Sequence, residues 1–121
     1  MIAHWIEVPV TNFARAAKFY QAIFAADEPI KNMAGGDVSF GHLPGDRGLG
    51  SVCLLTAPGF TPSDSGAVAY LSVGDDMAPI LARIEAAGGA ILLPKSSIGA
   101  QGFRAQFRDS EGNRMGLHSV Q

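Results

Sequence analysis

The sequence predicts an α+β protein in which one plan, strand–helix–strand–strand–strand, is written twice. Three observations carry that reading. The chain has 121 residues, 47% of them hydrophobic and 17% charged, so a packed core is within reach and disorder is not expected. Each half opens with a β-branched run that leads into a capped, one-sided apolar helix. A shift of 63 positions then lays Val10 on Val73, Asn12 on Asp75 and Gly50 on Asn113. Identity between the halves is low, so element order carries the repeat. A ferredoxin-like βαββαβ sandwich uses the same element types, but needs only four strands and leaves strand-like runs over.

The first module is expected over 1–56. "WIEVPV" alternates and is rich in β-branched residues, which suits a strand. Pro9 lacks a backbone donor, so this strand lies at an edge or ends there. In "TNFARAAKFYQAIFA", Thr11 or Asn12 can accept from the free amides of a first helical turn. Phe13, Ala16, Ala17, Tyr20, Ile23 and Phe24 then recur at helical spacing as one stripe. Three strand-like runs follow, at 29–33, 37–43 and 49–56, punctuated by Gly35-Gly36 and "PGDRG" (44–48). The stretch 57–66, "APGFTPSDSG", has no periodicity and reads as a linker.

The second module is expected over 67–121, with both modules forming one compact domain. "AVAYLSV" (67–73) is a strand. Asp75 or Asp76 caps a helix whose inner face is Met77, Ile80, Leu81, Ile84 and Ala87, stopped by Gly88-Gly89. Strands follow at 90–94, 102–108 and 113–119, the last two joined by a "DSEGN" turn.

Composition excludes several function classes. The formal charge is −2 and Lys and Arg do not cluster along the chain, so a phosphate-backbone footprint is absent and no nucleic-acid partner is expected. No apolar run approaches the ~20 residues of a membrane span, and the N-terminus carries no basic region of a signal peptide. The single cysteine, Cys53, excludes an intrachain disulfide and suits a reducing compartment. A cytoplasmic protein with a small-molecule partner is the expectation.

Three motifs carry a family resemblance: "VPVTNFARAAKFYQAIF" (8–24), "YLSVGDDMAPILARIEAAGG" (70–89) and "FRDSEGNRMGLHS" (107–119). Together with the doubled plan, they make the chain resemble the vicinal-oxygen-chelate superfamily of glyoxalase I, bleomycin-resistance proteins and extradiol dioxygenases. The resemblance implies two βαβββ modules whose curved mixed sheets enclose a cavity, and often a homodimer. It also implies four metal-ligand positions, which fall on Trp5, on Cys53 or Leu54, on Val68 and on Gly116. Trp, Val and Gly offer no side-chain donor to a divalent ion, whereas a catalytic metal needs about three protein ligands. The chain therefore looks most like a metal-less, glyoxalase-like branch, with no metal and no cofactor expected. Glyoxalase I or dioxygenase chemistry does not carry over.

If Trp5 faces the cavity, alternation places Glu7 there too and turns His4 outward. The same logic sets Tyr70 beside Val68, and His118 on the face of Gly116, where the missing side chain leaves room. Trp5, Val68 and Gly116 are then ligand-binding candidates, and Glu7, His118 and Tyr70 catalytic ones. Enclosed in apolar surroundings, Glu7 would serve near neutrality as acid or base, and an imidazole suits either role. Tyr70 could donate to a ligand oxygen, and Trp5 could stack on a planar ring. The chemistry implied is a metal-independent isomerase or lyase acting on a small carbonyl compound. The alternative is a drug- or metabolite-sequestering protein resembling bleomycin-resistance proteins. The bland reading stands beside both: Glu7 pairs across the pocket, and His118 is a satisfied wall residue. His42, beside a Pro-Gly turn, reads as a surface histidine, and Cys53 as an inert thiol.

Overall fold

A computed structural model describes residues 1–45 and 48–121. It is α+β, with two mixed sheets, two helices and two compact units, 1–62 and 63–121. The division falls inside the expected linker. Neither sheet closes into a barrel, and none of the described helices is long and apolar enough to cross a membrane.

In the first unit, β1 (Trp5–Pro9) pairs in parallel with β3 (Ser51–Thr56), which pairs antiparallel with β2 (Ser39–His42), giving the order β1-β3-β2. Pro9 ends an edge strand, where its missing N–H costs no ladder bond. Asn12 caps α1 (Phe13–Ile23), its side chain accepting from Arg15 N at 3.0 Å. Ala16, Tyr20 and Ile23 are buried as the spacing predicts. Phe19 is buried as well, its ring edge-on to Tyr20. This layer meets Val8, Val10 and Leu54 of the sheet, all buried.

The run 29–33 is not a strand. Only Met33 N reaches a β2 carbonyl, that of Phe40, at 2.7 Å. The Asn32 carboxamide takes over the neighbouring backbone, accepting from Ala34 N at 3.1 Å and Phe40 N at 3.2 Å. A side chain that satisfies backbone donors competes with a ladder. The segment still packs closely, since the Cα of Gly41 sits against the Lys31 carbonyl and the Phe13 ring with no room for a Cβ. Of the 44–48 turn, Asp46 and Arg47 lie outside the described residues.

In the second unit the order is β4-β7-β6-β5, from β4 (Ala69–Ser72), β5 (Ala90–Ser97), β6 (Phe103–Arg108) and β7 (Arg114–Ser119). Strand β4 runs parallel to β7, and the other pairs are antiparallel. The edge strand β5 runs on past the expected end at Pro94, through register shifts between Ile91 and Ser96 that accommodate the proline. Helix α2 (Ala78–Ala87) turns Ile80 and Ile84 inward, to the layer formed by Ala105, Phe107, Met115 and Leu117. Gly88 closes it at φ 112°, a left-handed value that favours glycine. Asp76 precedes the helix and accepts from Ala78 N at 2.9 Å, although Met77 holds the cap position itself. The "DSEGN" turn is built on buried Asp109, whose Oδ1 accepts from Glu111 N and Asn113 N, each at 2.9 Å.

Candidate functional site

With α1 covering one face of the first sheet, the other face holds a cavity of about 440 Å³. Strand register arranges its wall in three rows. At one end stand Trp5 and its partner Ser51, with Leu49 beside them. In the middle, Glu7 pairs with Cys53, and Cys53 with His42, so a carboxylate, a thiol and an imidazole cross the sheet side by side. At the far end Leu55 pairs with Phe40, whose ring meets that of His42 edge-on. A titratable row thus lies between the Trp5–Ser51 row and the apolar Leu55–Phe40 row.

The register also decides between Cys53 and Leu54. Cys53 lines the cavity, while Leu54 is buried in the layer under α1. Burial raises the Cys53 pKa, and the negative charge of Glu7 raises it further, so the thiol keeps its proton. Such a thiol is a poor nucleophile and a poor metal ligand. Among the described residues no group of three or more His, Cys, Asp or Glu could hold a metal ion. The donor set at the expected ligand positions, Trp5, Cys53, Val68 and Gly116, does not fit a divalent cation.

Trp5 and Glu7 line the cavity as alternation predicts, but both are exposed. The enclosure expected around Glu7 is therefore not provided. His4 does not turn outward: it lines the cavity, its ring edge-on to Trp5 at 5.0 Å. The strand begins only at Trp5, and the His4 carbonyl accepts from Gly50 N at 2.8 Å, so strand alternation does not reach it. His42 is likewise a cavity residue rather than a surface one, and its Nδ1 is buried without a hydrogen-bond partner among the described residues.

The remaining candidates belong to the second unit. Tyr70 pairs with Gly116, and its ring lies over that glycine, filling the room its missing side chain leaves. The Tyr70 hydroxyl accepts from Gln106 Nε2 at 2.6 Å and from Arg104 Nη1 at 3.4 Å. His118 pairs with Ser72 on one side and Arg104 on the other, and its Nε2 is 2.5 Å from the Gln101 carbonyl. Val68 is half-buried just before β4. Arg104 and Gln106 were not singled out from sequence. The signal that finds them is the polar alternation of "FRAQFR" opposite "RMGLHS".

No family model and no curated protein matches the chain. Solved structures do. A glyoxalase/bleomycin resistance protein from Albidiferax ferrireducens T118 superposes with a TM-score of 0.70 at 18% identity, over 96% of this chain and 96% of that one. The antibiotic-binding protein TnmS3 from Streptomyces sp. CB03234 gives 0.67 at 23% identity, over 98% and 95%. The fosfomycin resistance protein FosX from Listeria monocytogenes gives 0.65 at 19% identity, over 98% and 92%. At these identities the likeness establishes the fold, which is that of the vicinal-oxygen-chelate proteins. Solved structures with this fold include a glyoxalase-related enzyme from Fulvimarina pelagi as well as resistance proteins.

Proposed function

We propose that the protein binds a small planar ligand in the cavity of the first unit and holds it without converting it. One observation carries this reading: a cavity of about 440 Å³ with Trp5 at one end, 57% exposed, and Phe40 and Leu55 at the other. An exposed indole beside an apolar hollow offers a face for stacking, and pockets of this size suit small molecules. The Nδ1 of His42, without a partner among the described residues, adds support, because an unsatisfied buried nitrogen costs free energy that a ligand's polar group can recover. The antibiotic-binding role of TnmS3 is consistent with ligand binding on this fold. A homodimer that covers Trp5 and Leu49 belongs to the same reading.

Trp5 is the chain's single tryptophan, so its fluorescence reports on the cavity directly. A screen of planar aromatic compounds should yield saturable changes in emission, with the compound recovered unchanged. Trp5→Ala, followed by calorimetry, should weaken binding by about tenfold or more. If no compound in the panel gives a saturable change, the reading fails. The second reading is metal-independent acid–base catalysis on a small carbonyl compound, with Glu7 acting on the ligand. It is favoured by the position of Glu7 in the cavity wall. Turnover of a bound compound that Glu7→Gln abolishes, with binding retained, would select it.

A further inference from the structure

The described structure of the second unit concentrates positive charge in a way the linear sequence conceals. On the face of β6 and β7 opposite the buried layer stand Arg104, Arg108 and Arg114, with Gln106 between them. The two arginines at one end are engaged. Arg108 is 3.2 Å from an Asp64 carboxylate oxygen, and Arg114 donates to the Asp64 carbonyl at 3.0 Å. Arg114 also donates to Gln106 Oε1 at 2.8 Å. That bond fixes which way the Gln106 carboxamide points, so its Nε2 donates to the Tyr70 oxygen at 2.6 Å. Arg104 adds a second donor to the same oxygen at 3.4 Å.

The consequence lies at Tyr70. Both acceptor sites of its hydroxyl are used, and among the described residues nothing accepts its proton. The residue is 41% exposed, so a ligand can approach it. Beside it, the Arg104 guanidinium is exposed and pairs with no carboxylate among the described residues. A phenol O–H and an arginine fork, oriented by a relay through Gln106 and Arg114, form a convergent set of donors with no acceptor. We infer that Tyr70 and Arg104 form a binding site for an oxyanion, a carboxylate or a phosphoryl group, on the second unit. Arginine matches either anion with two parallel N–H bonds, and the tyrosine supplies a third donor. Gln106 and Arg114 are positioning residues. All four residues belong to the second unit.

The test is a titration of ¹⁵N-labelled full-length protein with benzoate, phenyl phosphate and neutral benzamide, read from arginine Nε–H and backbone amide resonances. Saturable shifts at Arg104 and along β4 and β6 are expected for at least one anion and not for benzamide, weakening as salt rises. Response to benzoate alone assigns a carboxylate site, and response to phenyl phosphate alone a phosphoryl site. Tyr70→Phe keeps the ring over Gly116 and removes only the donor. It should weaken anion binding about tenfold, and Arg104→Gln at least as much. The same spectra show that each variant is folded. Equal response to benzamide, no saturable shift with either anion, or unchanged affinity in both variants would overturn the assignment.

Discussion

Gly116→Ala tests the packing of Tyr70 against β7. A Cβ at 116 would fall inside the Tyr70 ring, 2.6 Å from Cε1 and 2.7 Å from Cγ. Contacts that short do not occur, so either the ring moves or the strands part. The outer side of the ring is exposed, which lets it swing away and lose its bonds to Gln106 and Arg104. Overpacking costs about 1–3 kcal/mol, and an escape route to solvent keeps the cost near the lower part, about 1–2 kcal/mol. For a chain of this size, each kcal/mol lowers Tm by roughly 3–6 °C. The decisive measurement is a double-mutant cycle by urea unfolding. Gly116 has no positive φ, so its backbone accepts alanine. In a Tyr70→Ala background, Gly116→Ala should then be neutral or stabilising by about 0.5–1 kcal/mol, because alanine suits a strand better than glycine. The same destabilisation in both backgrounds would show that the tyrosine ring is not what glycine accommodates.

Asn12→Ala removes the oxygen that caps α1 and should cost about 1 kcal/mol by urea unfolding, with Asn12→Asp recovering most of it. Glu7→Gln removes the charge that helps hold the Cys53 pKa up. Alkylation of the native thiol by iodoacetamide near pH ~8.5 should therefore be faster in the variant, and an unchanged rate would argue against electrostatic contact between the two. Asp76 is held below the usual carboxylate range by the Ala78 N–H and then by Lys95. A carboxyl depressed in the folded state contributes stability above its unfolded pKa, near ~4, and loses it as pH falls toward the folded value. The urea midpoint of Asp76→Asn should accordingly lie below that of the parent at pH ~7 and converge on it only as pH falls below the folded value.

Local patterns in the sequence identify both helices and six of the seven strands to within two residues at each end, because capping, periodicity and turn chemistry act within a few positions. Two strand expectations miss for reasons that are also local but subtler. The 29–33 run has the apolar content of a strand, yet Asn32 offers the backbone side-chain partners instead. Strand β5 outlasts Pro94 because an edge strand with bulges tolerates a residue that a central strand would reject.

The candidate sites are less legible, since a site is a relation between strands and alternation describes only one strand at a time. It correctly sets Trp5 and Glu7 on one face, then fails at His4, one position outside β1, where a carbonyl bonded to Gly50 sets the direction instead. It leaves Cys53 and Leu54 undecided and cannot say that Glu7 and His42 stand on either side of Cys53, because that row depends on how β1, β3 and β2 are registered. The same limit hides the arginines. Arg104, Arg108 and Arg114 alternate with apolar residues along two strands and form no run, so the linear sequence reads as weakly charged. Antiparallel pairing brings them to one face, and Asp64 then engages two of them, leaving Arg104 beside Tyr70. Charge patterning along a chain therefore underestimates anion recognition wherever donors are spaced two apart on paired strands, because the pleat sums what the sequence separates.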